Sequence, residues 1–351
     1  HICNVIHSND DNNPKQTKGE RNMKKLTGFL AGLVMVSGAA SVANAIEVMR
    51  CSHQLPPAHH IAKVIDRWAA EIETQSGGDI DVQVFGANSL TGAKQNATSV
   101  AKGDIECAFS INPQWGKTLP LMNVTLGPFA VSSLDALNGW DGSEAAAFLE
   151  EKLLTKGVRN VTWMFTTRST AITSNGSGLI APADFDGVKI RGLGPVPDAG
   201  FVAMGAAPSA MSGSKVYQAL STGVIDAGLT DVSAAVSRKY FEVQDHVTVL
   251  PLFSIYFHGY VNPAWYDGLS ATSQAAIDDA GAKAAVWAIE ASEASAAKAP
   301  GQLTDAGMTV HIATDAENAA LADVMVPAFN KAFGDATGED GVKLLELISK
   351  M

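Results

Sequence analysis

The sequence predicts an α/β protein built as two lobes that share one chain. Three observations carry this. From residue 46 onward, segments with the two-residue period of a strand alternate with segments whose apolar residues fall three and four apart, as on a helix. No internal repeat and no long polar linker divides the chain. Near the end, Ser270–Ala299 reads as one Ala-rich helix, long for a globular domain.

Ile46–Ser52 is a strand, broken by Pro56-Pro57. His59–Thr74 is a helix, with Ile61, Val64, Ile65, Trp68, Ala69 and Ile72 on one face and Gly77-Gly78 beyond its end. Asp79–Phe85 alternates as a second strand, Gly92–Lys102 is a short helix, and Asp104–Ile111 is a third strand. This βαβαβ order implies parallel strands with right-handed crossovers. Ser132–Lys156 is helical with a break at Gly139–Gly142; Asn160–Phe165, Ala171–Ser174 and Val188–Arg191 are strands. Asp198–Met204 and Ser214–Thr222 are helices, Val224–Leu229 a strand and Ser233–Phe241 helical. His246–Leu250, Ile255–Asn262 and Thr309–Ile312 are strands, and Ala316–Phe333 and Gly341–Met351 are the last helices.

Composition narrows the class. The 351 residues are 46% hydrophobic and 17% charged, too apolar for a disordered chain. A net charge of −11 argues against nucleic acid, whose phosphates need a basic face. Three Cys are too few for a disulfide scaffold. Cys51 and Cys107 sit in apolar strand-like runs and read as buried free thiols; a bridge is open to them only if their geometry matches.

Residues 1–22 are polar and aperiodic, and read as a non-native or over-extended leader. Residues 23–45 have the form of a cleavable secretory signal: Met23-Lys-Lys, an apolar Leu26–Val36 and a small-residue end at Ala43-Asn-Ala. The expected mature chain starts at Ile46 in the periplasm of a Gram-negative bacterium. It keeps 306 residues with 20 Lys/Arg against 33 Asp/Glu, a net charge of −13.

Catalytic signatures are absent from the sequence. No Gly-x-Ser-x-Gly elbow or P-loop occurs, and Gly192-Leu-Gly lacks the third Gly of a dinucleotide loop. His59 and His60 are adjacent, so on a helix they diverge by about 100° and cannot share a metal; they read as a solvated helix start. No enzyme, cofactor or metal is expected.

Two Arg stand out. Arg168 ends the run Val161–Arg168, and Arg191 ends Asp186-Gly-Val-Lys-Ile-Arg. Strand ends of open α/β sheets face the ligand crevice, and Arg holds a carboxylate through two parallel N–H···O bonds. Pro182-Ala-Asp-Phe-Asp-Gly-Val-Lys-Ile-Arg, Met204-Gly-Ala-Ala-Pro, Lys215-Val-Tyr-Gln-Ala-Leu-Ser-Thr-Gly-Val-Ile-Asp-Ala, Tyr240-Phe-Glu-Val-Gln and Trp265-Tyr-Asp-Gly-Leu follow in order. Together they resemble the substrate-binding proteins of tripartite ATP-independent periplasmic (TRAP) transporters, over the whole mature chain.

The resemblance implies a two-lobed, type II-like periplasmic binding protein with mixed sheets in each lobe and the long helix spanning both. Residues 46–167 plus about 256–296 would form lobe I, and 168–255 plus about 297–351 lobe II. Arg191 would pair with a ligand carboxylate and Arg168 would assist. The partners implied are a small organic acid and the small and large permease subunits, with the receptor a monomer.

The chain departs from the family where an Asn-Pro pair is common: Thr230 and Asp231 stand there. An Asp at the cleft edge disfavours a second carboxylate by at least about 1 kcal/mol, and could receive an ammonium or hydroxyl. Equally, Asp231 could cap the following helix. The first reading favours a monocarboxylate bearing hydroxyl, keto or amino groups. His53, Gln54 and Asn112–Trp115 lie where lobe I should meet ligand, and Trp115, Phe165, Phe253 and Tyr256 could form an apolar wall. The alternatives are a receptor for a signalling partner, a periplasmic enzyme on an organic acid, and the binding protein of an ATP-driven importer. The long helix and the Lys-Ile-Arg segment argue against the last.

Overall fold

The structure, a computed structural model, describes residues 46–351. The leader and signal expected over residues 1–45 lie outside the described residues. The chain opens with β1 (Glu47–Ser52), α1 (His60–Gln75), β2 (Ile80–Phe85), α2 (Asn96–Lys102) and β3 (Cys107–Ile111). After two 3-10 turns come α3 (Leu134–Asn138), α4 (Glu144–Leu154), β4 (Arg159–Thr167) and β5 (Thr170–Ser174). The middle holds β6 (Lys189–Gly192), α5 (Ala199–Ala203), β7 (Ala207–Ala210), α6 (Gly213–Ser221), β8 (Gly228–Asp231) and α7 (Val232–Ser237). Then follow β9 (His246–Leu250), β10 (Ile255–Val261), α8 (Pro263–Asp267), α9 (Ala271–Asp305), β11 (Thr309–Ile312) and α10 (Asp315–Ile348).

Two mixed sheets organise these elements. The first has order β2-β1-β3-β10-β4, with β1 parallel to β2 and β3, and β10 antiparallel to β3 and β4. The second has order β11-β9-β5-β8, and β6 and β7 form a parallel pair beside it through the Ile190–Ala227 bridge. The chain passes between the sheets three times, at β4–β5, at β9–β10 and, through α8 and α9, at β10–β11.

Helix α9 is capped by Ser270, whose Oγ accepts the Ser273 N–H at 3.1 Å. Its 35 residues extend about 50 Å. It lies directly on β4: Thr162 Oγ1 donates to the Gly281 carbonyl at 2.8 Å, and a Cβ on Gly281 would stand 1.8 Å from the Val161 carbonyl oxygen. Glycine alone permits that approach. Farther along, Ala299 and Leu303 are buried with Val247, Val249 and Leu220 of the second sheet's core.

Three features differ from the sequence expectation. The strand read at Val224–Leu229 begins only at Gly228, because Asp226 closes a turn onto Lys189, accepting its N–H at 3.0 Å, and Val224 is exposed. The edge strand Ala-Pro-Ser-Ala of β7 carries no alternation and contains Pro208, so nothing marked it. The tail 297–351 is not confined to the second lobe. α10 meets Gly200 through Met325, but Phe329 lies against Gly127, and Asp340 pairs with Lys152 of α4 at 2.7 Å. The two helices expected there are present, meeting at Gly338, whose φ of 61° and ψ of −142° are not helical. Cys51 and Cys107 face each other in the β1–β3 register, buried and unbridged.

Candidate functional site

Arg191 lies on β6, whose residues alternate between faces: Lys189 is exposed and Ile190 enters the core. The Arg191 side chain is nevertheless only 5% exposed. Its Nη1 donates to the Leu229 carbonyl at 2.5 Å and its Nε to the Met211 carbonyl at 3.3 Å. Among the described residues it has no carboxylate within salt-bridge range. Burial first, then the neighbouring Arg238, push its pKa down to about 10, so it stays a cation at neutral pH. Asp198 draws nearest in charge, but its two oxygens accept the Leu193 and Gly194 N–H groups at 2.7 and 3.0 Å and hold the loop after β6. A buried guanidinium satisfied only by carbonyls is set to receive an anion.

Arg238, just past α7, is the cation beside it. Its Nη1 donates to Thr230 Oγ1 at 2.9 Å, and its guanidinium lies flat over the start of α6, 2.7 Å from where a Cβ on Gly213 would sit. Arg191 thus bridges residues 211 and 229, and Arg238 bridges 213 and 230 of the same two segments. Nothing in the sequence singled out Arg238; it follows a helix rather than a strand.

The first lobe adds histidines. His53 Nδ1 accepts the Leu55 N–H at 3.1 Å and His59 Nδ1 accepts the Ile61 N–H at 3.2 Å, which leaves the proton on Nε2 of each neutral ring. Burial lowers the pKa of both, His59 strongly, with His60, Arg238 and His53 adding to its shift. Both are therefore neutral donors at pH 7. His60 stacks on His59 at 4.5 Å and bonds Ser292 Oγ at 3.1 Å; Asp231 partly opposes the lowering of its pKa by burial. The expected solvated helix start is corrected here: His59 caps α1 while buried at the seam between the lobes.

The other expected residues divide. Thr230 lies on β8 next to Leu229, the anchor of Arg191, and its Oγ1 accepts from Arg238. Asp231 caps α7, accepting the Ala234 N–H at 3.0 Å and the Ser233 hydroxyl, so its carboxylate is engaged by the fold and the amino-group reading loses its partner. Arg168 makes a bidentate pair with Glu293 of α9, at 2.8 and 2.6 Å, and so ties the β4–β5 crossing to the long helix. Gln54 accepts from Gln114 at 3.0 Å within the first lobe. Asn112 donates to Thr125 Oγ1 at 3.0 Å and keeps an unpartnered, buried Oδ1.

The apolar wall is corrected. Tyr256 is fully buried on β10, an interior strand flanked by β3 and β4; its ring packs among Trp140, Trp163 and Phe165, and its hydroxyl donates to the Met122 carbonyl at 3.1 Å. Phe253 and Phe165 belong to the same core, and Trp115 packs on His258 and Tyr260. These side chains are structural.

A cavity of about 590 Å³, within the size range of ligand sites, opens between α1, α7 and α9, lined by His59, His60, Lys63, Ser233, Ser237 and Glu290 among others. It adjoins the site through His59 but does not reach Arg191. Among the described residues no group of His, Cys, Asp and Glu could hold a metal, and no helix is long and apolar enough to cross a membrane.

Comparison with known proteins agrees with this architecture. The C4-dicarboxylate-binding periplasmic protein of Rhodobacter capsulatus is 30% identical over 88% of this chain and 93% of its own. The 2,3-diketo-L-gulonate-binding periplasmic protein of Escherichia coli is 26% identical over 85% and 89%. A TRAP periplasmic solute-binding protein from Desulfovibrio salexigens, with bound orotic acid, matches in fold with a TM-score of 0.81 at 21% identity, covering 86% of this chain and 97% of its own. One from Rhodoferax ferrireducens, with bound malonate, gives 0.80 at 24%, with coverage of 86% and 97%. The family described as bacterial extracellular solute-binding protein, family 7, matches residues 51–335, and the chain belongs to it.

Proposed function

We propose that this receptor is exported to the periplasm, captures a small organic carboxylate between its lobes and delivers it to the membrane subunits of a TRAP-type permease. One observation carries the reading: Arg191 is a buried cation whose fold partners are carbonyl oxygens, with no carboxylate in ion-pair range among the described residues. A ligand carboxylate supplies the missing charge, and lobe closure strengthens the pair by excluding water. The flanking donors, Arg238 and the Nε2 groups of His53 and His59, suit an acceptor-rich ligand. The solutes bound by the relatives, a C4-dicarboxylate, a diketo-gulonate, orotate and malonate, are all acidic.

In this reading the receptor releases its ligand unaltered: cations and neutral donors surround Arg191, and Ser292 Oγ, the hydroxyl beside His60, is buried and donates to the Phe165 carbonyl at 3.0 Å. Calorimetry against a panel of carboxylates tests the reading. Arg191→Gln is expected to lose about 100-fold or more in affinity, about 3 kcal/mol, with the far-UV spectrum unchanged. Retained affinity in that variant, or recovery of a bound acid chemically altered, overturns it.

A further inference from the structure

We propose that Arg238, and not Arg168, is the second cation of the site, and that it selects acids carrying a second oxygen acceptor within two carbons of the carboxylate. This rests on the carboxylate reading of Arg191 and goes beyond it in naming what the rest of the ligand must present.

The two guanidinium groups are anchored to the same two segments, and the charge of Arg238 is felt at Arg191. Arg191 spans the Met211 and Leu229 carbonyls, and Arg238 spans Gly213 and Thr230. The anchoring residues lie one and two positions apart on those segments, about 3–7 Å of chain. That interval matches the separation between a carboxylate and a 2-hydroxyl, a 2-keto oxygen or a second carboxylate. Arg238 spends one N–H on Thr230, and among the described residues no carboxylate lies within ion-pair range of it. Asp231, seven residues earlier, is committed to the N-terminus of α7. Arg168 is the opposite case, its fork filled by Glu293. Gly213 is the structural counterpart of this assignment, since any Cβ there would meet the guanidinium at 2.7 Å. Two adjacent cations repel each other, and an acceptor that bridges them removes that repulsion as well as adding bonds.

Calorimetry with propionate, lactate, pyruvate and malonate tests the assignment. In the wild-type protein at least one of the three oxygenated acids is expected to bind about tenfold or more tightly than propionate. Arg238→Gln should abolish most of that ratio while moving propionate by less than about threefold. Gly213→Ala, which keeps the charge but displaces it, should do the same, and Arg168→Gln should preserve the ratio. Melting curves confirm that each variant is folded. The inference is overturned if propionate matches the oxygenated acids, if the ratio survives both Arg238→Gln and Gly213→Ala, or if Arg168→Gln abolishes it. If those failures occur while Arg191→Gln still abolishes binding, the carboxylate reading stands alone. If no acid binds the wild-type protein, both fall.

Discussion

Arg191 and Arg168 look alike in the sequence, each closing a strand, but their surroundings separate them. One is buried among carbonyls and the other is paired with Glu293 across more than a hundred residues. Sequence position identifies which residues end strands; it does not say which of them a distant helix will neutralise. Arg238 shows the converse, since its place beside Arg191 exists only because β6, β7 and β8 come together. The Arg168–Glu293 pair is about one-third exposed, so solvent screens it, and Arg168→Gln should cost no more than about 1 kcal/mol in denaturant melts. His258 carries a different expectation. It is fully buried, burial pushes its pKa down to about 3, and its Nδ1 faces Asn160 Oδ1 at 3.1 Å. Above pH 6.5 the ring is neutral in both folded and unfolded chains. As pH falls below 6.5 the unfolded chain takes up a proton and the native one does not until about 3, so stability declines across that window. At pH 4.5 the decline is about 2–3 kcal/mol. Urea melts between pH 7 and 4.5 should show a smaller loss in His258→Gln than in the wild type.

At the scale of elements, strands and helices with a clear period were legible, and β9 and β11 occupy the residues their alternation marked. Elements set by tertiary pairing were not. β8 starts late because Asp226 is used in a turn, and β7 pairs along an edge with no side-chain pattern of its own. Asp231 likewise read equally well as ligand contact or helix cap, and only the fold decides. Its loss as a cap in Asp231→Ala should cost about 1 kcal/mol, read from chemical denaturation. The contact of α9 on β4 is stricter. In Gly281→Ala the new methyl meets the Val161 carbonyl with nowhere to move, and a loss of about 3 kcal/mol or more is expected in the same assay.

For the whole molecule, the chain is acidic, at −11 over all 351 residues, yet it is built to collect anions. In the proposed site the attraction is local, from Arg191 and Arg238 in a partly dehydrated seam, while the distant field repels. Added salt screens that field over about 8–10 Å and leaves the buried contacts less affected. The association rate for an anionic ligand should therefore hold steady or rise between 20 and 300 mM salt in stopped-flow measurements. A steep fall would mean that a cationic surface steers the ligand.

Helix α9 sets the terms on which the two sheets can move. It is pressed onto β4 at Gly281, gripped by Arg168 at Glu293 and buried in the second core at Ala299 and Leu303. A rod held on both sheets opposes sliding of one past the other and favours their turning relative to each other. Under the proposed lobe closure, open and closed forms would then differ by an angle between two outer faces. A membrane partner touching both faces could gauge that angle, and so tell a loaded receptor from an empty one, without meeting the solute inside.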